Sequence, residues 1–128
     1  MKLFNNVRIL LAEDNAINTF LMVKVLKGWN VDVDVVENGE QAIAKIRENE
    51  YNLVIMDTYM PVMDGLEAIK LIRSEIVPNK KDIPIISFSA AIMESDKQIA
   101  LDAGADDILD KAFDPQLLHD KISRFVNQ

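Results

Sequence analysis

The sequence contains no cysteine and a single histidine. Without cysteine there is no disulfide framework, no thiolate metal site and no cysteine nucleophile. One histidine cannot build a multi-histidine metal cage. No apolar run approaches the ~18 residues of a membrane span. The opening Met1-Lys2-Leu3-Phe4-Asn5-Asn6 lacks the apolar core of a signal peptide. Basic residues are in deficit, 14 against 21 acidic, for a formal charge of −7. Such a chain is a poor match to a phosphate backbone, so direct nucleic-acid binding is not expected. There is no linker or low-complexity tract. What is present is 128 residues, 49% apolar and 27% charged. That is one domain's worth of chain, able to bury roughly two-thirds of its unfolded surface. The expectation is a soluble cytoplasmic domain covering residues 1–128.

The apolar period alternates between strand-like and helix-like along the chain. Val7 to Ala12 (VRILLA) reads as a strand. Asn15 to Lys27 reads as a helix with Ile17, Phe20, Leu21, Val25 and Leu26 on one side, stopped by Gly28. Val31 to Val36 alternates as VDVDVV. Asn38, with Gln41 three residues on, opens a second helix with a capping-box-like start. Leu53 to Met56 (LVIM) is a third strand ending at Asp57. After a loop with Pro61, Asp64-Gly65 starts a helix carrying Leu66, Ile69 and Ile72. Lys80-Lys81 reads as a solvated turn. Ile85 to Phe88 is a fourth strand, 94–103 a more polar helix, and Asp107 to Leu109 a short fifth strand. Asp114-Pro115 starts a last helix whose Leu118, Ile122, Phe125 and Val126 face inward.

Five strand–helix units imply a parallel sheet covered by helices on both faces. Inner strands of such sheets are continuously apolar; VDVDV is not, so it belongs at an edge. The flavodoxin-like order 2-1-3-4-5 places the second strand there, giving a single-domain, doubly wound (βα)5 fold. One internal similarity, NGEQAIAKIR (38–47) with DGLEAIKLIR (64–73), reads as shared helix-start chemistry.

Ligands of such folds bind at the carboxyl ends of the strands. There stand Glu13 and Asp14 after the first strand, Asp57 after the third, Ser89 after the fourth and Lys111 after the fifth. Three carboxylates do not stay ionised together without compensation. Lys111 supplies one positive charge, and a divalent cation supplies the other two. An all-oxygen ligand set favours a hard ion, Mg²⁺ above all where a phosphate completes the shell. A carboxylate can attack phosphorus directly, and Asp57, at the end of the central strand, is the best placed. Mg²⁺, the Lys111 ammonium and the Ser89 hydroxyl would then each hold one phosphoryl oxygen.

With these residues in this order, the whole chain resembles the receiver domain of bacterial response regulators. The resemblance rests on Glu13 and Asp14 in LLAEDN, Asp57 in VIMDTYMPVMDG, Ser89 in PIISFSA and Lys111 in DKAF. It implies Mg²⁺ held by Asp14, Asp57 and the backbone carbonyl of Tyr59, with Glu13 acting through water. It implies a phosphohistidine donor on a sensor histidine kinase or a histidine phosphotransfer protein, and a response on the side formed by the fourth helix, fifth strand and fifth helix. It places control of dephosphorylation at Tyr59 and Ala91. AEDNAINTFLMVKVL has the flavour of the hybrid-kinase or phosphorelay type. With no output domain in 128 residues, a stand-alone protein and a piece of a hybrid kinase both fit.

Two positions depart from the family. Ala112 stands where a proline, often cis, follows the lysine; a cis bond before a non-proline costs ~3 kcal/mol, so a trans peptide is expected. Ile108 replaces the usual aromatic switch residue, which leaves Ser89 and loop movement to carry the response. The competing reading is a phosphatase that also passes through an aspartyl phosphate. It needs a second carboxylate two residues after the nucleophile, and Tyr59 stands there. His119 is expected to be exposed, and Trp29 to pack at the end of the first helix.

Overall fold

The computed structural model describes residues 1–90 and 93–126. Five strands alternate with five helices: β1 (Arg8–Ala12), α1 (Ala16–Gly28), β2 (Asp32–Val36), α2 (Gly39–Glu48), β3 (Leu53–Asp57), α3 (Gly65–Arg73), β4 (Ile85–Ser89), α4 (Glu94–Ala103), β5 (Asp107–Asp110) and α5 (Pro115–Phe125). All strands are parallel, in the order β2-β1-β3-β4-β5. The expected edge position of the VDVDV strand is correct, and the order is the doubly wound one.

The pleat divides the core in two. On one face Leu10, Ala12, Val54, Met56 and Ile85 pack against Ala42, Ile43 and Ile46 of α2 and Ala68, Ile69 and Ile72 of α3. On the other, Ile9, Leu11, Leu53, Ile55, Ile86, Phe88 and Leu109 pack against Met22 and Leu26 of α1 and Leu118 and Ile122 of α5. All residues of β3 and β4 are buried, which is why these strands read as unbroken apolar runs.

The starts of α1, α2, α3 and α5 are built by short polar side chains. Asn15 accepts from the N–H groups of Ile17 and Asn18, both at 3.0 Å. Asn38 accepts from the Gln41 N–H at 2.8 Å, and the Gln41 side chain accepts in turn from the Glu37 N–H. Asp64 does the same for Glu67 at 2.9 Å, and Asp114 for Gln116 at 3.1 Å. Each satisfies an orphan N–H of the first turn.

Three expectations need correction. The core face of α1 shares only Val25 and Leu26 with the stripe read from the sequence. Ile17, Phe20 and Leu21 are 70%, 65% and 51% exposed, while Met22 and Leu26 are fully buried. This helix is apolar over most of its circumference, so periodicity alone could not select the buried side. His119 is buried rather than exposed. The N-terminal segment folds back under the sheet, and the His119 ring stacks on Phe4 at 4.7 Å and meets Trp29 edge-on at 4.9 Å. Its Nε2–H donates to the Lys2 carbonyl at 2.7 Å, which fixes the proton on that nitrogen. Trp29 packs as expected. Lys80 is not a solvated turn residue: it pairs with Glu50 at 2.8 Å and donates to the Asn49 carbonyl at 3.0 Å.

The two sides of α1 therefore respond differently to truncation. Met22→Ala is expected to lower stability by roughly 2–5 kcal/mol, because the void left in the core collapses only in part. Phe20→Ser stays within about 0.5 kcal/mol of the parent. Urea unfolding followed by circular dichroism measures both, and equal losses would contradict the assigned faces.

Candidate functional site

Parallel strands end their hydrogen bonding on the same side of the sheet, so their carboxyl ends form one rim. The four loops singled out in the sequence meet there. β1 delivers Glu13 and Asp14, β3 delivers Asp57, β4 delivers Ser89, and the loop after β5 delivers Lys111. One carboxylate oxygen each of Glu13, Asp14 and Asp57 lie within 4.8 Å of one another. Lys111 Nζ lies 3.1 Å from Asp57 Oδ1 and 3.0 Å from Glu13 Oε2. Ser89 is buried, and its carbonyl accepts from the Lys111 N–H at 3.0 Å. Tyr59 stands two residues beyond Asp57 and is 59% exposed. Ala91 lies outside the described residues.

Burial distinguishes the acids. Glu13 and Asp57 are enclosed, whereas Asp14 is exposed at the mouth. Glu13 Oε1 accepts from the Asn15 N–H at 3.0 Å and from Lys111 at 3.3 Å. Its other oxygen, Oε2, is buried and accepts no hydrogen bond, although the Lys111 ammonium is near. Thus three carboxylates face one ammonium, with a lone pair of Glu13 unmatched.

Lys111 reaches this position without the family's proline. Every peptide among the described residues is trans, as expected for Lys111–Ala112. The turn is made instead by Asp110, whose carboxylate accepts from the Ala112 N–H at 2.9 Å. The lysine stem lies over the Phe88 ring, with Nζ 5.6 Å from its centroid. Ile108 is half-buried and packs against the core. It fills the place of the aromatic residue with a side chain that cannot exchange a ring between two positions.

Two features escaped the sequence reading. Thr58 Oγ1 and Ser87 Oγ meet at 3.1 Å in the buried interval between β3 and β4. Gly65 sits directly beneath Asp57: a Cβ there would run into its carbonyl oxygen. The Asp64-Gly65 pair was legible as a helix start, but its contact with Asp57 depends on how α3 packs back on the strand.

The charges shift accordingly. Burial pushes the Asp57 carboxyl up to about 6; Lys111 and the Tyr59 backbone N–H pull it down, and the neighbouring Glu13 charge adds to the rise. For Lys111, burial works against the charge, but the hydrogen bonds and charges of Glu13 and Asp57 outweigh it and raise its value. An acid whose folded value exceeds its unfolded 3.8 binds its proton more tightly in the native state. Its stabilising contribution is complete below the unfolded value and is lost as pH rises through about 6. The metal-free wild-type protein should therefore gain stability relative to Asp57→Asn when the pH drops from about 7.5 to 5.5. Parallel urea midpoints for the two proteins across that interval would remove Asp57 as the source.

These residues match known proteins over most of the chain. The family model for the response regulator receiver domain matches residues 9–123. Over 119 residues the chain is 35% identical to the autoinducer 2 sensor kinase/phosphatase LuxQ of Vibrio vulnificus, covering 93% of this chain but 14% of that protein. It is 37% identical over 112 residues to the transcriptional regulatory protein ResD of Bacillus subtilis, covering 88% and 45% of the two chains. The chain thus spans a small part of the length of curated relatives it matches. Among solved structures, the receiver domain of the sensor histidine kinase PA1611 from Pseudomonas aeruginosa, with magnesium in its active-site cleft, superposes with a TM-score of 0.88 at 31% identity, covering 97% of this chain and all of that one. The receiver domain of Ssk1, solved with the histidine phosphotransfer protein Ypd1 of Saccharomyces cerevisiae, gives 0.85 at 28% identity, covering 97% and 91%. Sheet order, rim residues and sequence agree on one conclusion: the chain belongs to the response regulator receiver domain family, the phosphoryl-accepting modules of two-component and phosphorelay signalling.

Proposed function

We propose that Asp57 is the phosphoryl acceptor of this receiver and that Glu13, Asp14, Ser89 and Lys111 form its working site with Mg²⁺. The observation that carries the reading is the enclosed charge imbalance. Three carboxylates converge within 4.8 Å, and one ammonium bridges two of them. The surplus is two negative charges among hard oxygen donors, which suits a small dication.

Asp14, Asp57 and the Tyr59 carbonyl would hold the metal directly, with Glu13 reaching it through water. When bound, Mg²⁺ would neutralise equatorial phosphoryl oxygens during transfer. The remaining steps belong to this chain. An Asp57 carboxylate oxygen bonds to phosphorus as the donor's histidine N–P bond breaks, and the imidazole leaves with the bonding pair and takes its proton from solvent. Asp57 needs no general base, because it is ionised at neutral pH, above its value of about 6. Lys111, already 3.1 Å from it, follows the new phosphoryl oxygens. The Ser89 hydroxyl donates to another and draws the end of β4 inward. That movement biases the α4-β5-α5 side, the side read by a downstream protein. The module catalyses only its own phosphorylation and dephosphorylation, and its location is cytoplasmic.

The donor is a sensor histidine kinase or a histidine phosphotransfer protein, since the lone His119 is buried against Phe4 and Trp29. Ile17, Phe20 and Leu21 present an exposed apolar patch on the first two turns of α1. That helix starts two residues after Asp14, so the patch flanks the mouth of the site. An exposed patch of this kind marks a protein contact, here the place where the donor protein rests.

Incubation with acetyl phosphate and Mg²⁺ should add one phosphoryl group by intact mass. Asp57→Asn and metal chelation should each abolish the gain; undiminished labelling of Asp57→Asn would refute the assignment. Phe20→Asp separates chemistry from docking. Its labelling by acetyl phosphate should match wild type, while transfer from a phosphorylated histidine-containing protein slows at least tenfold. Equal slowing with both donors would mean that Phe20 acts on the site and not on the partner.

A further inference from the structure

The two similar segments 38–47 and 64–73 both begin with a capping residue followed by glycine. Both glycines turn out to hold the same loop. The loop runs from Thr58 to Asp64 between β3 and α3 and carries Tyr59. At its near end, the Gly65 N–H donates to the Thr58 carbonyl at 2.9 Å. At its far end, the Gly39 N–H of α2 donates to the Met63 carbonyl at 2.8 Å. That N–H is one of the first-turn donors a helix leaves unpaired, and here it is spent on a loop from another part of the chain. A Cβ at residue 39 would lie 2.8 Å from the Met63 carbonyl oxygen, 2.9 Å from the Ala68 Cβ and 3.0 Å from the Asp64 carbonyl oxygen. Only glycine lets α2 approach this closely.

The loop so held is strained. The Met63 N–H donates to the Pro61 carbonyl at 2.8 Å, two residues back, across Val62 at φ 69°. This is a three-residue γ-turn in its rare positive-φ form, centred on a β-branched residue, the type least suited to it. Val62 is 77% exposed, so core packing does not impose the conformation. A strained residue persists only where its surroundings over-determine it, and the contacts that do so are the Gly39 clasp and the buried Met60 side chain.

We infer that Gly39 is a positioning residue for the metal site: its N–H clasps the Met63 carbonyl and holds the strained Val62 turn closed, which fixes the Tyr59 carbonyl against Asp57. The inference rests on the proposed role of Tyr59 as a metal ligand. The loop opens toward relaxed φ values when the clasp is lost, and glycine at 62 lowers the cost of the closed turn. The two substitutions therefore act in opposite directions.

The test uses three variants of the full chain. Amide hydrogen exchange of the metal-free protein reads the loop, and calorimetric titration with Mg²⁺ reads the site. Gly39→Ala should speed exchange at Met63 and Gly65 at least tenfold, with β1 and β3 amides unchanged, and should weaken Mg²⁺ binding at least fivefold. Adding Val62→Gly to Gly39→Ala should recover half or more of that loss. Unaltered loop exchange in Gly39→Ala, or no recovery in the double variant, would overturn the inference. Should Gly39→Ala not fold, Val62→Gly alone decides: it should raise the melting temperature and slow exchange at Met63, and a lower melting temperature with faster exchange would overturn the inference. Failure of wild type to bind Mg²⁺ would instead count against the proposed metal site, leaving the exchange readout of the clasp intact.

Discussion

Like-charge repulsion in an enclosed space is the interaction on which the rest depends. Glu13 and Asp57 are both buried, Asp14 stands at the mouth, and among the described residues the ammonium paired with them is that of Lys111. Taking carboxylates out of water is costly unless they are paired, and here the pairing is incomplete. The fold makes the arrangement possible because β1 and β3 are adjacent and parallel, with Ala12 opposite Met56 in register. The next residues on each strand therefore face the same cleft. Lys111, 98 residues from Glu13 in sequence, is brought in by β5, bound through β4. On the proposed reading, this surplus draws in a dication, whose charge then also holds an incoming phosphoryl group. The charge imbalance thus makes the two phosphorylation states differ in energy, the requirement for any switch.

The scaffold around this cleft is over-determined where the cleft is not. Two apolar layers close both faces of the sheet, and β3 and β4 are buried from end to end. The Arg73 guanidinium ties α3 to the other sheet end. It donates to the carbonyls of Gly104, Lys81 and Ile83 and pairs with Asp106 at 2.9 Å. At the β2 edge, Asp34 accepts from Tyr51 at 2.6 Å and Arg8 at 2.7 Å. The Tyr51 hydroxyl, then the Arg8 charge, hold Asp34 below the usual carboxylate range against the effect of burial. These ties lie away from the carboxyl-end rim. The rim itself is tied more lightly: Ser89 and Lys111 are joined there by one backbone hydrogen bond.

The sheet order, the strand ends and the convergence of Glu13, Asp14, Asp57, Ser89 and Lys111 at one rim were legible because each follows from a local pattern. Apolar runs of strand length place the strands, and the residue after each run sits at its carboxyl end. VDVDV announced an edge because a covered strand cannot carry alternating carboxylates. What was not legible depended on contacts between distant segments. The α1 stripe misled because residues Ile17 to Leu26 are apolar on too many sides for periodicity to choose between them. Burial of His119 required the six N-terminal residues to fold under the sheet, and nothing local to the last helix signals that. The Asp110 turn that places Lys111 without proline could have been suspected from an aspartate two residues before Ala112. The likeness of NGEQ to DGLE was visible, but its convergence on a single loop was not.

That convergence bears on how such a module is tuned. Asp57, Lys111 and the acids fix the chemistry, and their geometry tolerates little change. The loop from Thr58 to Asp64 reaches Asp57 through the backbone N–H of Tyr59, so the exposed side chains of the loop take no part in that contact. Val62 and Tyr59 both point outward, and substitution at either can alter access and loop closure without moving a charged group. The apolar patch on α1 flanks the same opening from the other side. Two surfaces thus border a common cleft, one apolar and helical, the other a strained turn. A protein whose reaction centre is this constrained can change its partners and its timing only at such borders.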